Sequence, residues 1–129
     1  MKRAEQLLRA YRASRYFAGA HAVRIGQDAP ALDALLRCWR VPEGVFIAAG
    51  NPRSRRMPAG WNARRHAALR ERLRGLPHVE GKGGVKRWWE AHCFIGISAA
   101  RGKRLARLFR QNAMVALRRG AKARLIWVF

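Results

Sequence analysis

The chain has 129 residues, 28 of them Lys or Arg against 7 Asp or Glu, giving a formal charge of +21 at pH 7, and 50% of it is hydrophobic. That hydrophobic share excludes wholesale disorder, and the length suits one domain over residues 1–129 with a buried core. No apolar run approaches the ~20 residues of a membrane span and no secretory h-region is present, so a soluble cytoplasmic protein is expected.

In chain order, Ala4, Leu7, Leu8 and Tyr11 follow i, i+3, i+4, i+7 spacing and predict an amphipathic helix over 3–13. Arg residues crowd this segment as in a transit peptide, but Glu5 interrupts them and the pattern runs on into the domain, which favours an integral helix. Tyr16 and Phe17, then Val23 and Ile25, flank Gly19 and predict a hairpin. Asp28 followed by Pro30 reads as a capped helix start, with Leu32, Leu35, Leu36 and Trp39 as the buried stripe and Pro42 as the stop.

Val45 to Ala49 is an apolar run without alternating polar positions, which predicts a central strand covered on both faces. It turns at Gly50-Asn51-Pro52 and leaves through an arginine-rich loop. A helix is expected from Ala59 to Leu76, burying Leu69, Leu73 and Leu76, with Asn62 and His66 along its inner face. Gly81-Lys82-Gly83-Gly84 reads as a flexible turn before a long strand, Val85 to Ser98, in which one of Trp88 and Trp89 is core. Ser98 caps a helix, Ala99 to Arg110, facing Leu105, Leu108 and Phe109 inward with Gly102 at a close contact. Asn112–Leu117 and Ala123–Phe129 close the chain as a hairpin. Helices interspersed among hairpins predict an α+β fold, one mainly antiparallel or mixed sheet with about four helices packed on it.

The stretches Phe46-Ile47-Ala48-Ala49-Gly50-Asn51-Pro52-Arg53-Ser54, then Asn62, then Gln111-Asn112-Ala113 resemble an uncharacterised bacterial domain-of-unknown-function family (DUF3293-like) with F-I-T-A-x-N-P-x-S and G-Q-N-A type motifs. The resemblance runs from about Tyr11 to the C-terminus and includes Arg24-Ile25-Gly26-Gln27. It implies a shared fold and a shared polar site, and supplies no reaction. Ala48 stands where that pattern has Thr, and Arg110 where it has Gly.

Two constellations carry the functional expectations. The first is charge. Apart from Lys2, Lys82, Lys86, Lys103 and Lys122 the basic residues are arginines, whose planar guanidinium matches phosphate and stacks on bases. No acid occurs from Arg101 to Arg124, a self-repulsion that a polyanion would relieve. Arg53, Arg55, Arg56, Arg64, Lys103, Arg104 and Arg107 are the candidate phosphate contacts, on RNA more than DNA. Without a recognised reader module, such binding is directed at the backbone. An acidic protein partner is the other occupant such a surface suits.

The second constellation is polar: Asn51, Ser54, Asn62, Glu90, Gln111 and Asn112, candidates for a small-ligand pocket or an enzyme site if the strands bring them together. The amides would otherwise cap turns. Glu90-x-His92 shares a strand face, but no catalytic motif is present and the reaction is unassigned. The four histidines and the carboxylates match no metal spacing, and no cofactor is expected. Cys38 and Cys93 read as small buried residues in a reducing compartment.

Overall fold

A strand that is apolar on both sides needs a cover on each, and this chain supplies helices to both faces of one sheet. The computed structural model describes residues 2–128. Along it run α1 (Lys2–Ala13), β1 (Arg15–Ala18), β2 (His21–Val23), α2 (Pro30–Trp39), β3 (Glu43–Ala48), a 3-10 turn (Pro52–Ser54), α3 (Ala59–Arg72), β4 (His78–Val85), β5 (Trp88–Ile95), α4 (Ala99–Leu108), β6 (Ala113–Arg118) and β7 (Arg124–Trp127). The α+β order is the one expected, except that Phe129 lies outside the described residues.

The sheet has seven strands in the order β2-β1-β4-β5-β3-β6-β7, and every neighbouring pair is antiparallel. β3 lies between β5 and β6, so its alternating side chains enter two cores. Val45 and Ile47 meet Leu69 and Leu73 of α3 and Ala106 of α4. Phe46 meets Leu32 and Leu36 of α2, with Phe94 and Val115 from the neighbouring strands. Each fully buried leucine contributes roughly 1.5–3 kcal/mol by burial. Gly102 lets α4 approach β3, since a Cβ there would stand 2.9 Å from a Val45 methyl. Beyond the sheet edges, Gly26 N donates to Ala123 O (2.7 Å) and Ala123 N donates to Gln27 O (2.9 Å). These bonds join the two ends of the sheet, which curls around its α2 side.

Several local expectations are corrected. The glycines at 81, 83 and 84 form no turn; they lie inside β4, and the hairpin turns at Lys86-Arg87. A Cβ on Gly81 would collide with the Phe17 carbonyl, and one on Gly84 with the Trp88 carbonyl. These glycines thus serve close backbone approach rather than flexibility. Neither Trp88 nor Trp89 is core: both are 36% exposed, because they flank the hairpin tip. Asp28 caps nothing, as the N-cap of α2 is Ala29, without a side-chain bond. That helix ends at Arg40 in the left-handed conformation, before Pro42 is reached.

α3 ends at Arg72, and Leu73 to Leu76 continue as turns, although Leu69 and Leu73 are buried as expected. Ser98 does cap α4, accepting from Arg101 N. Leu108 points to solvent, 46% exposed, because α4 turns its Ala106 and Phe109 side inward. Cys38 is exposed on α2, whereas Cys93 is buried.

Arg110 has φ 53°, a left-handed conformation that costs a non-glycine residue about 1–2 kcal/mol. Arg110→Gly is expected to raise stability by about 0.5–1 kcal/mol, partly offset by the entropy of a freer unfolded chain. Chemical denaturation of the two proteins would measure it, and an unchanged or lower midpoint would contradict the account.

Candidate functional site

The site begins where β3 ends. Gly50 is required there, since a Cβ would press to 2.9 Å against the Asn62 carboxamide. Asn51 then takes φ 45°, which Asn tolerates better than most residues. Its polar groups are engaged on all sides. Asn51 N donates to Asn62 Oδ1 (2.8 Å), and its Oδ1 accepts from Met57 N and Asn62 Nδ2, each at 2.9 Å. Its Nδ2 donates to Glu90 Oε1 at 2.7 Å. Arg53 and Ser54 are also left-handed, at φ 56° and 61°. The strained turn is tied to the link between α4 and β6 by Arg53 N donating to Arg110 O (2.8 Å) and by Asn112 Nδ2 donating to Ser54 Oγ (2.9 Å).

Beside this turn is a cavity of about 270 Å³ between α1 and the sheet. Its floor is the even-numbered face of β3 and β5, with Phe46, Ala48, Glu90 and His92, and its roof is Leu7, Ala10 and Tyr11 of α1 with Ser14 just after it. Tyr16, Trp88, Asn51, Ser54 and Gln111 complete its lining. A second, shallower cleft adjoins it at Leu7 and carries Arg3, Arg53, Arg55 and Asn112. Arg3 closes part of that cleft by donating to Arg53 O (3.2 Å).

The titratable groups here are dominated by burial. Burial raises the Glu90 carboxyl above its ordinary range, against the lowering effect of the Asn51 hydrogen bond. No ion pair to Glu90 occurs among the described residues; the acids that pair with cations are Glu43, Glu71 and Glu80. His92 is 3% exposed and neutral, its pKa lowered to about 4 by burial. Its Nε2 is 2.7 Å from Phe17 O, which assigns the proton to Nε2 and leaves Nδ1 as an acceptor. Burial also raises the phenols of Tyr11 and Tyr16.

Of the residues singled out by sequence, Asn51, Ser54, Glu90 and Gln111 line this cavity. Asn112 lies just behind Ser54 and lines the adjoining cleft. Asn62 stands outside it and holds the turn through Asn51 and Met57. The arginines divide. Arg55, Arg56, Arg64 and Arg104 are exposed, and Arg56 stacks on Trp88 at 4.7 Å. Lys103 is half-buried, and Arg107 donates its Nε to Val128 O at 2.9 Å, a structural tie.

Tyr11, Tyr16 and His92 belong to the cavity and were not among the sequence candidates for it. Their only sequence signals were the α1 stripe for Tyr11 and the Glu90-x-His92 spacing. His66 hydrogen-bonds Glu80 at 2.8 Å, away from the cavity residues. Among the described residues no cluster of His, Cys, Asp or Glu is built to hold a metal ion, and no helix is long and apolar enough to cross a membrane.

The family described as "Protein of unknown function (DUF3293)" matches residues 47–114, more than half of the chain, and the chain belongs to that family. The match is narrower than the span from Tyr11 to the C-terminus; it contains Asn51, Ser54, Asn62, Glu90, Gln111 and Asn112, and leaves out α1. No curated protein and no solved structure matches the chain.

The neutral His92 makes stability depend on pH. Its folded pKa lies below the unfolded value of about 6.5, so the unfolded chain binds the extra proton and the contribution is full above that value. The contribution is lost as pH falls from about 6.5 towards 4, by up to about 3 kcal/mol. His92→Gln is expected to flatten this part of the stability–pH curve, measured by urea unfolding at successive pH values. An unchanged slope would mean that His92 already carries a proton in the fold.

Proposed function

We propose that this member of the DUF3293 family binds a small polar ligand in the cavity beneath α1. The observation that carries the reading is convergence. Residues 51, 54, 90 and 111, separated by up to half the chain, border one space together with a buried histidine and two half-buried tyrosines. A concave site with aromatic walls and a few polar groups is the usual form of a ligand pocket. Binding is favoured over covalent chemistry. Ser54 has no histidine partner among the described residues, and Cys93 lies in the core on the opposite sheet face with burial pushing its thiol up to about 12.

The test is a thermal-shift screen of metabolites on the full chain and on Ala48→Leu, which fills the floor. A ligand of the cavity should raise the melting temperature of the unaltered protein by several degrees and lose at least tenfold in affinity in the variant. If no metabolite shifts the protein, or if Ala48→Leu binds equally well, the cavity is not the site.

A second reading is nucleic-acid binding, RNA more than DNA, through the arginine surface. What favours it is continuity. The Arg53–Arg56 loop sits against the end of α4 through the Arg110 carbonyl, and Arg65 of α3 stacks on Phe109 at 4.7 Å. Arg55, Arg56, Arg64 and Arg104 are exposed and make no ion pairs among the described residues. Arg55→Glu with Arg104→Glu is the suitable reversal, because neither guanidinium ties down backbone as Arg107 does. Fluorescence anisotropy with single-stranded RNA near physiological salt should show at least tenfold weaker binding in the double variant. Equal affinity would remove this surface from consideration.

A further inference from the structure

The cavity keeps three hydrogen-bond acceptors that the fold does not use. Gln111 spends its Nε2 on Gly50 O and Phe109 O (3.0 and 3.1 Å), so its Oε1 has no donor among the described residues. His92 spends its N–H on Phe17 O, leaving the Nδ1 lone pair. Glu90 receives Asn51 Nδ2 on Oε1, and Oε2 receives nothing among the described residues. Three acceptors thus remain, beside the Tyr11 and Ser54 hydroxyls and the Trp88 indole N–H, which line the same space and can donate. A ligand that satisfies the three acceptors must bring hydrogen-bond donors, and N–H groups serve a carboxylate best. That a carboxylate is kept here without a cation among the described residues, in a chain of charge +21, points the same way.

The adjoining cleft asks for the opposite charge, since Arg3, Arg53 and Arg55 border it and it opens to the cavity beside Leu7 and the Ser54–Asn112 pair. A purely cationic ligand would meet the arginines, and a purely anionic one would meet Glu90. The shape adds a third constraint. Tyr11, Tyr16, Phe46 and Trp88 wall a space of about 270 Å³, just under the usual range of ~300–1,000 Å³ for whole drug-sized ligands, which suits one flat ring system.

Resting on the reading that the cavity binds a small ligand, we propose that this ligand is a nucleotide whose base presents N–H donors to Glu90 and whose phosphate reaches the arginines of the neighbouring cleft. Guanine meets the requirement best, because its ring N–H and exocyclic amino group lie side by side and a carboxylate accepts both. Guanidinium groups supply the forked phosphate contact. Asn51 is the positioning residue, holding the carboxylate from behind. The same unit can arrive as a free mononucleotide or as the end of an RNA strand.

Isothermal titration of the full chain with guanosine monophosphate, inosine monophosphate, adenosine monophosphate, guanosine and inorganic phosphate tests the assignment. Guanosine monophosphate should bind at least tenfold more tightly than the adenosine compound, and inosine monophosphate, lacking the amino group, several-fold more weakly. Glu90→Gln should abolish the preference for guanine. Arg55→Glu should weaken guanosine monophosphate at least tenfold while leaving guanosine nearly unchanged. The ligand comparison on the unaltered chain stands even if a variant fails to fold. Equal binding of all three mononucleotides and of phosphate alone would overturn the proposal, as would unchanged guanine preference in Glu90→Gln. A different metabolite that binds the protein and is lost in Ala48→Leu, with no nucleotide binding, would keep the cavity reading and discard the nucleotide. Competition between guanosine monophosphate and an RNA ending in guanosine would identify the strand end as the source, and absence of competition the free nucleotide.

Discussion

The side chain of Asn51 is the joint on which the candidate site depends. It is engaged with Asn62 of α3, with the Met57 backbone and with Glu90 of β5, at a residue whose own backbone is left-handed. Three strained residues occur within four positions, each costing on the order of 1–3 kcal/mol. The hydrogen bonds that close the turn return roughly 0.5–1.5 kcal/mol each. Strain and bonding are therefore of similar size. The turn persists because β3 before it and α3 after it are anchored in the core by Ile47 and Leu69. Rigid elements hold a conformation that the loop alone would not choose, and the Glu90 carboxylate is aimed as a result.

The excess of arginine has a structural side as well. Arg3 donates to the Arg53 carbonyl, Arg107 to Val128 and Arg119 to Val41. Each guanidinium caps a carbonyl outside the regular ladders, which a forked donor does better than an ammonium point charge. Some of the positive charge is thus bound up in fastening loops and the C-terminal strand. Net charge alone overstates the binding surface, and the hydrogen-bond pattern divides it.

How much of this was legible in the sequence depends on the range over which each signal acts. The helical stripes of α1 and α2, the unbroken apolar run of β3 and the Ser98 cap are local, and each was readable. Gly81 and Gly84 were misread because a glycine that admits a neighbouring backbone looks the same as one that permits a turn. Only the adjacent Phe17 and Trp88 carbonyls distinguish the two. Trp88 and Trp89 were misread for a related reason: the hairpin turns two residues before the first of them, so both lie near an exposed tip. The polar set was visible as residue types, but its meeting required β5 to lie between β4 and β3. Nor could composition distinguish Asn62, which is saturated by Asn51, from Gln111, which keeps a free oxygen.

The cavity is assembled from two parts of the chain with different ties to the rest of the fold. Its floor is woven into the sheet, where Glu90 and His92 share a strand with the core residues Cys93, Phe94 and Ile95. Its roof is one helix, facing the body through Leu7, Ala10 and Tyr11 and lying outside the segment that the family matches. Substitutions in the floor therefore disturb the sheet and the lining of the space together, whereas those on the inner side of α1 reshape its roof without touching the segment by which the family is recognised.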